Sequence, residues 1–235
     1  MPGFNIVKKI EPEETFRVSS VKNAFDLRVE QVKEKFEGSI DIEDKKWNIG
    51  LIVGGSGSGK TTIAKEVFGE KYITSYEYNA PSVIDDMPKN KSVKEVIKQF
   101  TSVGFASPPC WLKPYHVLSN GEKMRADLAR ALLEEKDIAV FDEFTSVVDR
   151  DVAKTGSYAV SKAVRKSDKK FIAVACHKDI IDWLEPDWIY DTDQKRFFFM
   201  KKQKDQKGQQ LNLTYTELIT LLKKKYGNYL KNIII

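Results

Sequence analysis

The stretch Gly54-Gly55-Ser56-Gly57-Ser58-Gly59-Lys60-Thr61-Thr62 has the residue types and spacing of a phosphate cradle, G-x-x-x-x-G-K-[ST]. Glycines let successive backbone N–H groups turn inward around phosphate oxygens, and a helix opening at about Thr61 adds the positive end of its dipole. Lys60 then reaches the terminal phosphates, and the Thr61 hydroxyl is placed to ligate magnesium. The four fixed positions recur by chance in roughly one chain of this length in a hundred. Farther along, the apolar run Ile138-Ala139-Val140-Phe141 ends in Asp142 and Glu143. Carboxylates at the C-terminal end of such a strand lie beside the phosphate loop. Asp142 suits a magnesium ion held through water, and Glu143 suits a general base polarising an attacking water.

These residues meet only if strands and helices carry them to one place. From residue 47 onward, apolar runs of strand length alternate with amphipathic stretches, the rhythm of an α/β domain with a mainly parallel sheet. The expected buried strands are 47–53, 71–75, 137–141 and 170–175, with 188–190 and 196–200 as a terminal hairpin. Upstream, 15–21 and 39–42 are read as an antiparallel edge. Residues 201–210, KKQKDQKGQQ, read as a polar linker. After it Thr214-x-x-Glu217, Leu218, Leu221, Leu222 and Gly227 spell a short basic amphipathic helix.

Composition sets the outer bounds. With 41% hydrophobic and 31% charged residues among 235, the chain belongs with globular proteins and not with disordered or collagen-like ones. Basic residues outnumber acidic ones by 39 to 34, too small an excess to mark a nucleic-acid protein by itself. The cysteines Cys110 and Cys176 stand far apart without C-x-x-C spacing, which leaves no disulfide framework or cysteine zinc site and fits a cytoplasmic location. Apolar runs at 49–53 and 171–176 fall far short of the ~20 residues that span a bilayer, so a transport role calls for a separate membrane subunit.

Between the phosphate loop and the acidic strand, Leu118-Ser119-Asn120-Gly121-Glu122 precedes an amphipathic stretch with Met124, Leu128, Ala131 and Leu132 at helical spacing. Ser119-x-x-Glu122 is itself a capping box, so a well-capped structural helix accounts for the segment on its own. The full order, however, runs phosphate loop, LSNGE, Asp142-Glu143, Ser146-Val147-Val148-Asp149, and a strand ending in His177. Over about residues 15–200 this order resembles the ATP-binding cassette (ABC) ATPases. The resemblance implies a P-loop NTPase fold, α/β, with a mainly parallel core sheet, an antiparallel N-terminal edge and a short helical subdomain at about 77–135. It implies an ABC-type ATPase domain over 1–200, followed by the basic linker and helix of 201–235, with ATP and Mg2+ as cofactors. It also implies a head-to-tail homodimer formed on ATP, in which Ser119 and Gly121 contact the γ-phosphate held by the partner subunit. In that frame Asp149 couples the two sites, and His177 bonds the γ-phosphate and the attacking water.

Two departures attend the resemblance. The glutamine that ligates magnesium in the family has no counterpart except Gln99, read here as a helix-surface residue, and Asp85 within Val83-Ile84-Asp85-Asp86 is the expected substitute. The adenine-stacking aromatic is assigned to Phe25, with Phe16 and Phe36 as competitors. The detailed wording resembles most a soluble bacterial and phage group, some members of which are fused to a GNAT-type acetyltransferase; the expectation here is a bare cassette. Its ATP cycle would drive a soluble protein partner, with an ATP-gated nucleic-acid clamp or regulatory switch, or the ATPase subunit of a transporter, as the alternatives. Lys201, Lys202, Lys204, Lys207 and Lys223 to Lys225 are either a DNA- or RNA-binding surface or a plain solvated face.

Overall fold

The computed structural model describes residues 3–10, 13–26, 32–73, 76–134, 137–200, 203–204 and 210–211. In chain order the elements are β1 (Gly3–Ile10), α1 (Phe16–Ala24), β2 (Val32–Ser39), β3 (Ile49–Val53), α2 (Lys60–Phe68) and β4 (Tyr72–Ile73). There follow α3 (Val93–Ser102), α4 (Pro108–Trp111), α5 (Asn120–Leu133), β5 (Ile138–Phe141), α6 (Arg150–Val164), β6 (Lys170–Ala175) and α7 (Ile180–Leu184). The series closes with β7 (Trp188–Asp191), β8 (Arg196–Phe199), β9 (Gln203–Lys204) and β10 (Gln210–Leu211).

The central sheet has the order β4-β5-β6-β3-β7-β8, parallel except for β8, which returns antiparallel on β7. Both faces are covered. On one, Leu51, Val53, Ala139, Phe171, Ala173 and Ile189 join a core with residues of α3, α5, α6 and α7. On the other, Ile52, Val140, Ile172, Val174, Trp188 and Tyr190 pack with Ile63, Ala64 and Phe68 of α2 and with Phe4 of β1. Alternation along each strand thus feeds two cores, which is why the central strands read as unbroken apolar runs. Asp187 pins the start of β3 by accepting from the Asn48 and Ile49 N–H groups at 2.8 and 3.0 Å, while pairing with Arg165 at 3.1 Å. At the outer edge the Lys45 ammonium sits over the rings of Phe197 and Phe199, at 5.5 and 5.3 Å from their centres.

The N-terminal sheet corrects the expectation for 15–21. These residues fall in helix α1, started by the Thr15 hydroxyl, which accepts from the Val18 N–H at 3.2 Å. The antiparallel pair is β1 with β2, in register from Gly3↔Ser39 to Ile10↔Val32. The alternating Ser39-x-x-Ile42 does not extend this strand: Ser39 ends β2, and Ile40 turns fully into the core beside the sheet. A β-branched segment without a buried face, as in α1, follows its capping residue rather than its strand propensity. Of the expected linker, β9 and β10 pair with each other, and the helix expected from Thr214 lies outside the described residues.

Between β4 and β5 lies a helical layer. A capping box starts α3, where Ser92 and Glu95 satisfy each other's backbone, and Val96 and Phe100 are its buried positions. Val93 and Ile97 of the same helix are 64% and 38% exposed. Phe100, Phe105 and Trp111 form the aromatic centre, with the Trp111 indole N–H donating to the Phe105 carbonyl at 2.8 Å. Tyr78 stacks flat on Tyr115, and both hydroxyls donate to the Asp127 carboxylate of α5 at 2.7 Å. Burial pushes the Asp127 carboxyl up, while the Tyr115 and Tyr78 hydroxyls and Arg130 oppose the shift.

Candidate functional site

Because β5, β6 and β3 are neighbours, the segments leaving their C-terminal ends share one edge of the sheet: Asp142-Glu143 after β5, His177 after β6, and the glycine loop after β3. Gly57 and Gly59 have φ of 77° and 86°, a region side chains rarely enter, and the loop closes with the Ser58 N–H on the Gly55 carbonyl at 3.3 Å. A Cβ on Gly59 would stand 2.2 Å from the Phe36 ring, and one on Gly54 would stand 2.0 Å from Thr192 Oγ1. The glycines are therefore set by close packing as well as by turn geometry. Lys60 Nζ donates to the Gly55 carbonyl at 2.6 Å, curled over the loop. Lys8, reaching in from β1, donates to Thr62 Oγ1 at 2.6 Å. Beside the loop is a cleft of about 300 Å3 lined by Phe36, Gly57, Ser58, Tyr190, Thr192 and Lys195, among others.

The acidic strand meets this loop. The Thr61 hydroxyl donates to Asp142 Oδ2 at 3.0 Å, the Tyr72 hydroxyl donates to the same oxygen, and Oδ1 takes the Glu143 N–H at 2.9 Å. Burial and then the hydrogen bond to Asp142 push the Tyr72 phenol well above its ordinary pKa, so it stays protonated as a donor. Glu143 is exposed and has a φ of 50°, and Thr145, buried, has a φ of 65°. Two left-handed non-glycine residues in one turn are held there by Ser146, whose N–H and hydroxyl both donate to the Glu143 carbonyl, at 3.1 and 2.8 Å. Among the described residues no group of three or more His, Cys, Asp or Glu could hold a metal by itself. The Thr61 hydroxyl and Asp142 carboxylate are nonetheless hard oxygen donors of the kind magnesium takes when phosphate supplies further ligands.

The LSNGE segment is a complete capping box. Ser119 donates through both its N–H and its hydroxyl to Glu122 Oε2 at 2.8 Å, and its hydroxyl accepts from the Glu122 N–H at 3.4 Å. The Cys110 thiol and then the Ser119 donors hold the Glu122 carboxyl down at about 2. Gly121 faces α6, where an added Cβ would lie 3.2 Å from Val152. Asp149 caps α6, accepting from the Asp151 and Val152 N–H groups at 3.0 and 2.9 Å. Ser119, Asp149 and His177 are all exposed.

Two expected site residues stand apart from this edge. The Asp85 carboxylate accepts from the Ser82 hydroxyl within its own 3-10 turn, and no described contact joins it to Thr61 or Asp142. Phe25 is 72% exposed at the end of α1, and Phe16 is 87% exposed; Phe36 is the aromatic that packs on the loop, through Gly59. Gln99 is half-buried, its amide donating to Ser102 within α3. Tyr72, Lys8 and the pair Thr192 and Asp193 are the loop's neighbours that sequence reasoning missed. The Asp191-Thr192-Asp193 run directly after an apolar strand is the signal that offered them.

The sequence model of the family described as ABC transporter matches residues 72–146. The ribosome protection protein VmlR of Bacillus subtilis is 27% identical over 42% of this chain and 21% of its own length. EcfA1 of Staphylococcus aureus, an energy-coupling factor transporter ATP-binding protein, is 25% identical over 65% of this chain and 72% of its own. The chain thus spans about a fifth of the first relative and under three quarters of the second. In structure, the dimeric ABC transporter cassette MJ0796 superposes with a TM-score of 0.58 at 13% identity, covering 85% of this chain and 98% of that one. Its post-hydrolysis dimer bound to ADP and Pi gives 0.59 with the same coverage and identity. At this identity the likeness is one of fold.

Proposed function

We propose that this chain, an ABC-type ATPase domain by fold and by the order of its motifs, hydrolyses ATP with magnesium and closes as a head-to-tail homodimer around two nucleotides. The observation that carries the proposal is the 3.0 Å contact between the Thr61 hydroxyl and Asp142, beside the glycine loop. In this reading residues 54–62 hold the phosphates, with Lys60 released from the Gly55 carbonyl to the terminal one. Thr61 and Asp142 hold magnesium, which when bound neutralises developing charge on the phosphates. Tyr72 orients the Asp142 carboxylate, Glu143 takes the proton of the attacking water, and His177 donates toward the γ-phosphate. The cleft beside Phe36 and Tyr190 takes the nucleoside. Ser119 and Gly121, at the exposed start of α5, add a second helix terminus to the nucleotide of the partner subunit, and Asp149 lies at the same dimer face.

The work done by the cycle is assigned to a soluble protein partner in the cytoplasm, a reading supported by the likeness to VmlR. A transporter role is the second reading, favoured by the likeness to EcfA1; no helix among the described residues is long and apolar enough to cross a membrane. The domain is proposed to comprise 1–200, with 77–135 as its helical subdomain. Nucleic-acid binding through Lys204 and its neighbouring lysines remains tied to salt-sensitive affinity. The deciding experiment is a pair of variants: Lys60→Ala loses ATP binding, and Glu143→Gln binds ATP and turns it over very slowly. Undiminished turnover in both would sink the assignment.

A further inference from the structure

His177 is followed by two charged residues that point their ion pairs in different directions. Lys178 Nζ lies 2.9 Å from Asp191 Oδ2 and 3.2 Å from Asp193 Oδ2. Asp193 in turn accepts the Gly55 N–H of the phosphate loop at 2.8 Å through its other oxygen. Asp179 pairs with Arg150, its Oδ2 accepting from Nε at 2.9 Å, and Arg150 is the residue after Asp149.

The Asp191–Lys178 pair is built to last. Asp191 is fully buried, and its Oδ1 also accepts the Asp193 and Gln194 N–H groups at 3.0 and 3.1 Å, which folds the turn after β7 back on itself. That turn grips the loop at two further points. Thr192 donates its N–H to the Val53 carbonyl at 2.8 Å, and its hydroxyl lies 2.6 Å from the Ser58 hydroxyl. Burial alone would raise the Asp193 carboxyl, but the Gly55 N–H and Lys178 outweigh it and hold it ionised.

We propose that Lys178 and Asp179 are positioning residues that fix His177 between the phosphate loop, through Asp191 and Asp193, and the Asp149 segment, through Arg150. The inference rests on the ATPase reading for its consequence in turnover, and on the loop geometry alone for its consequence in loop order. A histidine on an exposed turn does not by itself hold the sub-ångström placement that a γ-phosphate contact requires; two ion pairs on adjacent residues restrict the turn on both sides.

The test uses Lys178→Met with Asp191→Asn, which removes the buried carboxylate's charge together with its cation and keeps the Oδ1 acceptor, so no lone buried charge is left to unfold the chain. In the nucleotide-free protein, amide hydrogen exchange around Gly55 should become at least fivefold faster. The Kd for a fluorescent ATP analogue should stay within threefold of wild type while kcat falls at least tenfold, and Lys178→Arg should keep kcat within threefold. Asp179→Asn, on the surface, should lower kcat at least threefold with the exchange around Gly55 unchanged. Wild-type exchange around Gly55 in the double variant overturns the clasp, and faster exchange with wild-type kcat overturns its role in placing His177. If the unaltered chain turns over no ATP, the ATPase reading fails while the exchange measurement still decides the clasp.

Discussion

The phosphate loop and the start of α5 are two glycine-containing turns before helices, and they are held in opposite ways. The loop is braced from far along the chain: Asp193 on Gly55 and Thr192 on Ser58 cross 138 and 134 residues, and Lys8 on Thr62 crosses 54. The start of α5 is satisfied locally, Ser119 and Glu122 answering each other three residues apart. A brace from the same chain fixes a loop for duty within that chain. An exposed helix terminus whose own side chains close only its first turn is left facing outward, and in the proposed dimer that is where a second copy would present its nucleotide.

The largest expected effect tests the loop side: Glu143→Gln should cut kcat by about 100-fold or more in steady-state phosphate release while nucleotide binding survives. On the outward side, Gly121→Asp should leave ATP binding by the single chain intact and abolish the ATP-dependent dimer seen by light scattering in the Glu143→Gln background. Since a Cβ there already presses on Val152, Gly121→Ala is the control; a dimer lost equally in Gly121→Ala would show packing rather than charge at work. Back at the loop, Tyr72→Phe removes a donor from Asp142 Oδ2. The magnesium needed for half-maximal nucleotide binding should rise roughly threefold to tenfold, with binding in EDTA unchanged. Ser119→Ala should cost about 1 kcal/mol in denaturant melts, as for other helix caps.

The smallest effect is electrostatic. The Glu122 carboxyl is held down at about 2 by Cys110 and Ser119, so its contribution is complete above the ordinary glutamate range and is lost as pH falls from about 4.5 toward 2. Glu122→Gln keeps the capping box and should flatten that stretch of the stability–pH curve slightly, the group being partly exposed to solvent.

The same contrast governs what could be read from sequence alone. Spacings that act within a few residues were legible: the G-x-x-x-x-G-K-[ST] loop, the Ser119 capping box, and β6 at its observed bounds. The parallel sheet followed from unbroken apolar runs. What escaped were partners chosen by the fold, such as Tyr72 on Asp142 and Asp193 on Gly55, because nothing in a strand's sequence states which loop its end will meet. In the N-terminal segment, β-branched residues at 18 and 21 suggested a strand, yet Thr15 caps a helix there with no buried face to enforce either form. Asp85 was assigned by position in a loop whose polar groups turn out to satisfy one another.

The outer strand β8 of the central sheet carries a consequence for how copies of the chain can meet. At that rim Phe197 and Phe199 of β8 lie under the Lys45 ammonium. A lysine held over an outer strand blunts it against edge-to-edge pairing, the common route from a stable sheet protein to irreversible aggregates. Self-association by backbone addition is thereby disfavoured at this rim.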